Sequence, residues 1–392
     1  MYASPHQFEP LLPQRELDGL QDRARRLAEE AVRLRQALPP ATLQALRELL
    51  RQMNSYYSNL IEGQSTHPAN IERALRQDFA SQPRIAKLQR IALAHIEAER
   101  ELEAWAGSGG HPLSSAFLQQ CHAALYRRLG AEDRTTDDGV VVVPGDWRIA
   151  PVQVGSHAAP APDALPAFLA RMDEVYEAAR PGEPFLIAVA AAHQRGAWVH
   201  PFLDGNGRAA RLQSHCALWA LSGGLWSPSR GLARNRARYY ELLAEADMPR
   251  RGDLDGRGNL SEAALRRWCE FFLEQCLDQA AFMAQMLDIA AMKRRIEALV
   301  IFRRAHDPGI RLEAVLPLHH VFAAGPVTRG EFQQMTGLGE RTARTLLSRL
   351  LAAGLVASAG HTSPVRFAFP LDALPFLLPN LYPEAATTPP TE

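Results

Sequence analysis

The sequence has 392 residues, of which 47% are hydrophobic and 22% charged, with a formal net charge of zero. This is an ordinary globular composition, and overall charge gives no reason to expect nucleic-acid or membrane binding. We expect a cytoplasmic protein, because the sequence has no signal-peptide pattern, no apolar run of about 18 residues and no C-x-x-C pair among its four cysteines.

Helical periodicity dominates the chain, which predicts a mostly α fold. The predicted helices cover 14–37, 41–61, 70–78, 84–105, 113–129, 162–179, 183–197, 206–222, 235–248, 261–304, 312–323, 328–336 and 339–353. Two segments favour strands instead. Residues 139–155 have β-branched runs around a Pro-Gly pair and predict a hairpin, and residues 355–369 predict two short strands around a loop.

These elements suggest three domains and a tail. Residues 1–105 form an N-terminal helical region, residues 106–290 a helical core, and residues 310–380 a small module of helices and a hairpin. Residues 381–392 are rich in proline, threonine and alanine and predict a disordered tail.

The stretch "HPFLDGNGRAAR", residues 200–211, lies between two apolar helices and is dense in polar groups. Gly205 and Gly207 allow a tight loop whose backbone N–H groups converge, and the following helix N-terminus adds more donors. Together these features predict an anion cradle, most naturally for phosphate.

The side chains of this stretch extend the prediction. Arg208 and Arg211 are three residues apart and share a helix face, where two guanidinium groups suit phosphate oxygens. Asn206 can donate to phosphate, Asp204 offers an oxygen ligand for Mg²⁺, and His200 is a candidate general base. The inferred reaction is attack of a hydroxyl on a Mg²⁺-bound phosphate. A capped helix with surface arginines, or a metal hydrolase using His200 and Asp204, are alternative readings that leave several of these groups unused.

The pattern H-P-F-x-D-G-N-G-R-x-x-R resembles the signature of Fic-domain proteins, which usually transfer AMP from ATP to a protein hydroxyl. The resemblance implies a Fic-type helical core over 106–290, with His200 deprotonating the target hydroxyl and Asp204 holding Mg²⁺. Gly205, Asn206 and Gly207 would cradle the phosphates, Arg208 would bind the β and γ phosphates, and Arg211 the γ phosphate. Tyr239 and Tyr240 are candidates for the adenine side, with helix core as their alternative reading. "DWRIAPVQVGSHAAPAP", residues 146–162, resembles the family's flap hairpin, so Val152, Gln153, Val154 and Gly155 would hold the target in extended form.

"SNLIEG", residues 58–63, fits the family's inhibitory pattern [ST]-x-x-x-E-[GN]. The resemblance implies that Glu62 pairs with Arg211 and excludes the γ phosphate, while Ser58 caps or orients Glu62. We therefore expect an adenylyltransferase inhibited by its own N-terminal helix. Its acceptor is a Tyr, Ser or Thr of a target protein, with self-modification and a homodimer as further expectations.

The C-terminal module resembles a winged helix. Arg341, Arg344, Arg349 and Arg366 stand there against Glu340, which fits a modest DNA-contacting face, although a protein-contact role is equally open. Two alternative functions follow: an enzyme that removes AMP with Glu62 orienting water, and a DNA-binding regulator whose Fic core senses nucleotide.

Overall fold

The computed structural model describes residues 2–106, 110–155 and 157–387. Its first part is a short 3₁₀ helix, Pro5–Phe8, followed by four α-helices, three of which begin with proline. Proline suits that position because the first N–H of a helix has no intrahelical acceptor. The four are α1 (Asp18–Arg35), α2 (Pro40–Ile61), α3 (Pro68–Leu75) and α4 (Pro83–Ala106).

The central part contains the 200–211 stretch and is also helical. Its helices are α5 (Ser115–Tyr126), α6 (Leu165–Tyr176), α7 (Glu183–Val199), α8 (Asn206–Ala217), α9 (Trp219–Ser222), α10 (Pro228–Arg234), α11 (Arg236–Ala246), α12 (Glu262–Met286) and α13 (Ile289–His306). The single helix predicted over 261–304 is wrong, because the chain breaks after α12. Asp288 caps the new helix by accepting a hydrogen bond of 2.6 Å from the Ala291 backbone.

The predicted hairpin is displaced. Its strands are β1 (Gln153–Val154) and β2 (His157–Ala158), which pair antiparallel with Val154 opposite His157. The paired strands therefore follow the Pro-Gly pair, 144–145, and that pair is not their turn. Gly145 instead donates its N–H to His122 on α5 over 2.9 Å, so this part of the loop bonds to a helix and not to a partner strand.

The last part of the chain has three helices, a short hairpin and a fourth helix. These are α14 (Val315–Ala324), α15 (Arg329–Met335), α16 (Glu340–Ala352), β3 (Val356–Ala357), β4 (Arg366–Phe367) and α17 (Leu374–Leu377). The order of helices and hairpin is the one expected of a winged helix, and that assignment stays a prediction.

The disordered tail was predicted to start too early. Leu381 and Tyr382 are buried, and the Tyr57 hydroxyl of α2 donates to Glu384 over 2.9 Å. Aromatic packing explains the error, since Tyr382 lies 5.3 Å from the ring of Tyr56. Residues 388–392 lie outside the described part of the chain.

The hydrophobic core does not follow the predicted boundaries. Helix α1 packs on α7 and α12, and one buried cluster includes residues from Phe8 to Tyr382. A second cluster lies between α4, α5 and α8, with Phe117, Leu125 and Phe202 at its centre. The 200–211 stretch lies beside this second cluster, so its loop is supported by packed side chains on the side away from solvent. Among the described residues, no helix is both long and apolar enough to cross a membrane.

Candidate functional site

The site is built on the turn that joins α7 to α8. His200 ends α7 in the left-handed backbone conformation, with φ of 49°. Arg148, which is buried, holds this turn by donating to the carbonyl oxygens of His200 at 2.7 Å and Val199 at 3.3 Å. The unusual backbone of His200 is therefore fixed by a side chain from the preceding loop.

Asn206 stabilises the loop from inside. Its side-chain oxygen accepts from the Phe202 N–H and its side-chain nitrogen donates to the Phe202 carbonyl, both at 2.9 Å. Both ends of the side chain bond to the loop itself, and its predicted bond to phosphate, which the second N–H of the amide would have to donate, stays a prediction. Its position in the first turn of α8 leaves its backbone N–H in the anion cradle.

Two glycines line the start of α8 for different reasons. Gly205 has φ of 78°, and a Cβ there would lie 2.4 Å from the Tyr126 ring. A Cβ on Gly207 would lie 2.4 Å from Oε1 of Glu62 and 3.0 Å from Nη1 of Arg211. The Glu62 carboxylate therefore lies directly against the backbone of the cradle.

Arg211 is the main partner of that carboxylate. Its Nη2 donates to Glu62 Oε1 over 2.5 Å, and its Nε donates to Ser58 Oγ over 3.0 Å. Ser58 thus contacts the arginine, whereas the sequence predicted that it would cap or orient Glu62. The Nη1 of Arg211 is buried and has no hydrogen-bond partner among the described residues.

Charge keeps both members of this pair ionised. Burial alone would raise the pKa of Glu62, but the charges of Arg211 and Arg208 outweigh it and lower that pKa. Burial alone would lower the pKa of Arg211, which the Glu62 carboxylate instead raises. The Glu62 side chain is 29% exposed and that of Arg211 only 1%, so the pair joins a fixed cation to a more accessible anion.

Arg208 points to a different set of partners. It donates to the Tyr126 hydroxyl over 2.8 Å and to Gln64 over 2.9 Å, and it lies 3.4 Å from the Asp204 carboxylate. The two arginines therefore lie on one helix face but form hydrogen bonds to different side chains.

Asp204 fits the requirements of a magnesium ligand. Burial would raise its pKa, but the Arg208 charge and the hydrogen bond from Tyr126, 2.6 Å long, lower it. The side chain is 49% exposed, so an ionised carboxylate stands at the surface beside the cradle. Mg²⁺ prefers this arrangement of one carboxylate with room for phosphate and water.

A cavity of about 940 Å³ opens over the start of α8. Its lining includes His200, Asn206, Gly207, Arg211 and Glu62, and also Tyr239 and Tyr240 of α11. Four predicted residues of the stretch and the two tyrosines thus share one space, large enough for a nucleotide, whereas Asp204, Gly205 and Arg208 are not part of its lining.

The two tyrosines are fixed by different bonds. The Tyr239 hydroxyl lies 3.0 Å from His193 Nε2, and the Tyr240 hydroxyl donates to the Ile61 carbonyl over 3.0 Å. Tyr240 therefore connects α11 to the end of α2, one residue before Glu62.

His200 is neutral in this environment. Burial lowers the pKa of His200 to about 4, so its imidazole has a free electron pair at neutral pH. A neutral histidine on a cavity wall can accept a proton from a substrate hydroxyl.

The flap hairpin forms another wall of the cavity. Val154 and Gly155, at the end of β1, line it together with His157 and Ala158 of β2. Gln153 and Val154 are exposed, and Val152 is partly buried. A short exposed hairpin of this kind can hold an extended peptide through backbone hydrogen bonds.

Sequence reasoning missed two supporting residues, Tyr126 and Arg148. Tyr126 joins Asp204 to Arg208, and Arg148 fixes the His200 turn. Arg148 lies within the quoted "DWRIAP" segment, but nothing in its spacing indicated that it would bond to carbonyl oxygens 51 and 52 residues later. Tyr126 ends a plain amphipathic helix and carried no signal.

The fold and the site define a mostly helical protein whose candidate anion site lies at the N-terminus of a buried helix. Residues 112–218 match the sequence model of the Fic/DOC family, and this segment of the chain is a Fic domain.

Curated relatives agree with this assignment. The protein adenylyltransferase Fic of Drosophila grimshawi is 30% identical over 136 residues, which are 34% of this chain and 28% of that protein. The protein of the same name from Drosophila virilis is also 30% identical, over 34% of this chain and 27% of its own length. The chain thus spans little more than a quarter of the length of these relatives.

A solved structure extends the likeness to the fold of nearly the whole chain. A Fic family protein from Desulfovibrio desulfuricans G20 superposes with a TM-score of 0.54 at 18% identity, covering 92% of this chain and 98% of that one. At this identity the match shows the fold alone.

Proposed function

We propose that this protein is an autoinhibited protein adenylyltransferase, which transfers AMP from ATP to a hydroxyl group of a protein. The observation that carries the proposal is the contact of Glu62 with both Arg211 and the Gly207 backbone, in the cavity that also contains His200. It combines a phosphate cradle, a base and an internal anion in one space.

The α8 N-terminus supports binding of the triphosphate. The unpaired N–H groups of a first helical turn and the positive end of its dipole favour an anion. Arg211 adds a fully charged guanidinium whose Nη1 has no partner among the described residues. Tyr239 and Tyr240 line the same cavity and would contact the nucleotide's base.

His200 supports the chemical step. As a neutral imidazole it takes the proton of the acceptor hydroxyl while that oxygen forms a bond to the α-phosphorus of ATP. The bond from the α-phosphorus to the β-phosphate oxygen breaks, and pyrophosphate leaves. Asp204 would hold Mg²⁺, which neutralises phosphate charge when bound.

Glu62 supports the inhibition. A carboxylate 2.5 Å from Arg211 occupies the arginine that a γ phosphate would need, and two anions cannot share it without strong repulsion. ATP can then bind only with its phosphates displaced from the reactive position. Removing the carboxylate frees Arg211 without removing any group that performs the reaction.

The test compares the wild type with Glu62→Gly, using α-labelled ATP and Mg²⁺, with and without cell lysate. A charge-assisted hydrogen bond is worth about 1.5–3 kcal/mol, so we expect protein labelling to rise at least about tenfold. Glu29→Gly, at an exposed glutamate of α1, is the matched control and should label like the wild type. His200→Ala in the Glu62→Gly background should reduce labelling by about 10²–10⁴-fold.

Two other outcomes would redirect the assignment. If Glu62→Gly shows no labelling but loses the ability to release AMP from a modified protein, Glu62 orients water for AMP removal. If neither activity exists, a DNA-binding regulator remains. Arg344 and Arg349 are paired with Glu340 and Asp307, each over 2.6 Å, so only part of the module's positive charge would be available to DNA.

A further inference from the structure

We propose that Tyr2 is an acceptor of AMP within the same molecule. This inference rests on the proposed adenylyltransferase function and names one substrate hydroxyl of that site. It starts from the cavity lining, which includes Tyr2 as well as His200 and the flap residues Val154 and Gly155.

The ring of Tyr2 lies between the flap and the end of α7. Its centroid is 4.6 Å from that of Trp198, two residues before His200, and 6.0 Å from that of His157 in β2. The Tyr2 carbonyl accepts a hydrogen bond of 2.8 Å from Ala161, just beyond the hairpin. Tyr2 is therefore on the acceptor side of the cavity, whereas Arg211 and Tyr239 are on the nucleotide side.

The cavity offers few other acceptor groups. Among the described residues, its lining contains three hydroxyl-bearing side chains, Tyr2, Tyr239 and Tyr240. The hydroxyl of Tyr239 is near His193, and that of Tyr240 donates to Ile61. Within the described part of the chain, the Tyr2 hydroxyl has no hydrogen-bond partner, so it can approach a phosphate without breaking an internal bond.

The segment that carries Tyr2 is firmly attached to the core. The buried Arg195 donates to the Pro10 carbonyl over 3.1 and 2.8 Å, and the Tyr176 hydroxyl donates to the Leu11 carbonyl over 3.0 Å. Phe8 is fully buried against Phe168, with ring centroids 4.9 Å apart. These contacts hold Tyr2 at the cavity.

An attached acceptor reacts at a high effective concentration, because the cost of bringing the two reactants together has already been met by folding. His200 takes the Tyr2 hydroxyl proton, the phenolic oxygen bonds to the α-phosphorus, and pyrophosphate leaves. The product is a phosphodiester between Tyr2 and AMP on the wall of the cavity, where it would hinder access of another protein to the flap.

The test uses the Glu62→Gly protein with α-labelled ATP and no other protein. Tandem mass spectrometry of the peptide containing Tyr2 should locate AMP on that residue. The initial rate per molecule should stay constant over a tenfold range of protein concentration, as an intramolecular reaction requires. Modification of another residue, or a rate that rises with concentration, would overturn the proposal.

A second pair of variants separates this inference from the proposed function. Tyr2→Phe in the Glu62→Gly background should lose at least about tenfold of the self-labelling and still label lysate proteins. Tyr56→Phe, at a tyrosine packed against Tyr382 away from the cavity, is the control and should keep both activities. If lysate proteins are labelled but Tyr2→Phe does not reduce self-labelling, only the proposal that Tyr2 is the acceptor is rejected. If no protein is labelled at all, the proposed adenylyltransferase function is rejected.

Discussion

Arg211 binds the Glu62 carboxylate, and the proposed γ phosphate would compete for the same guanidinium. Its guanidinium is buried, bonded to Ser58 and Glu62, and directed along the backbone of Gly207. The same group cannot neutralise the carboxylate and a γ phosphate at once. In the proposed function, inhibition and phosphate binding would therefore depend on one side chain, and removal of the carboxylate would separate them.

The prediction for Arg211 is made in the Glu62→Gly background. Arg211→Ala should weaken ATP binding by at least about tenfold, since a charged hydrogen bond to phosphate contributes about 1.5–3 kcal/mol. Isothermal titration calorimetry with ATP and Mg²⁺ measures the effect. Arg341→Ala, at an exposed arginine of α16, is the control. Equal affinity in the Arg211 variant would mean that the phosphates bind elsewhere.

The lowered pKa of His200 predicts how the labelling rate depends on pH. Because burial lowers its pKa to about 4, the imidazole is already neutral at pH 6 and gains no further base character up to pH 8. We expect the labelling rate of Glu62→Gly at saturating ATP to be nearly constant over this range. A histidine with an ordinary pKa would make the rate fall below about pH 6.5, and such a fall would contradict the assignment of His200 as a base that is neutral over this range.

The turn that leads into α8 requires glycine at position 205, because a side chain there would have no room. Gly205 and Gly63 both have positive φ, 78° and 72°. A Cβ on Gly205 would meet Tyr126, whereas a Cβ on Gly63 would meet nothing within 4 Å. Both glycines have a left-handed backbone conformation that would strain an alanine, but only an alanine at position 205 would also clash with a neighbouring side chain.

Gly63→Ala should cost about 1 kcal/mol of unfolding free energy, from the backbone alone. Gly205→Ala should cost clearly more, because its methyl group displaces the tyrosine that holds Asp204 and Arg208. Urea unfolding of both variants measures the difference. Equal losses would show that Tyr126 moves aside easily and is not a rigid support of the site.

The sequence predicts some elements of the fold and of the candidate site better than others. The 200–211 stretch was predictable because its chemistry is local: glycines, a helix start and charged groups lie within twelve residues. The flap turn was not, because Pro144 and Gly145 look like a hairpin turn until the bond from Gly145 to His122 is known. The family resemblance assigned Ser58 to Glu62, and only the approach of α8 shows that it bonds to Arg211.

At the scale of the whole molecule, packing removes the predicted separation of the first 105 residues. Helix α1 is buried against α7 and α12, and residues 2–11 lie along the core up to the cavity. The boundary predicted at residue 105 followed a change in sequence pattern. Amphipathic helices, however, bury their apolar faces against neighbouring helices regardless of the distance in sequence. Helices α1 and α2, the Fic domain and the first residues thus share one hydrophobic core.

This single body buries several titratable groups, which predicts its stability against acid. Burial lowers the pKa values of His95 and His193 to about 3 and of His122 and His200 to about 4. All four are neutral when folded and bind protons near pH 6.5 only when unfolded. Their contribution to stability is thus present above pH 6.5 and lost as the pH falls toward 4.

Three other titratable groups have raised pKa values when folded, and they make the unfolding free energy rise as the pH falls. Burial raises the pKa values of Glu99 and Asp247 to about 7, so both bind a proton when folded before they do so when unfolded. The pKa of His215 is also raised, because Glu99 and Glu103 outweigh its burial. Between pH 6.5 and 5.5 the four histidines of the unfolded chain bind about three protons on average, and the two carboxyl groups of the folded chain bind nearly two. The unfolded chain therefore has a surplus of about one proton, which is worth about 1.4 kcal/mol per pH unit.

We therefore expect the unfolding free energy to fall by about 1.4 kcal/mol between pH 6.5 and 5.5, as measured by urea unfolding. Asp247→Asn should make the fall steeper by up to about 1.4 kcal/mol per pH unit, because it removes a group that opposes the histidines. His95→Gln should make it shallower by a similar amount. A stability that stays level or rises toward pH 5.5 would mean that the histidines are charged in the folded protein, and the neutral base proposed at His200 would lose its support.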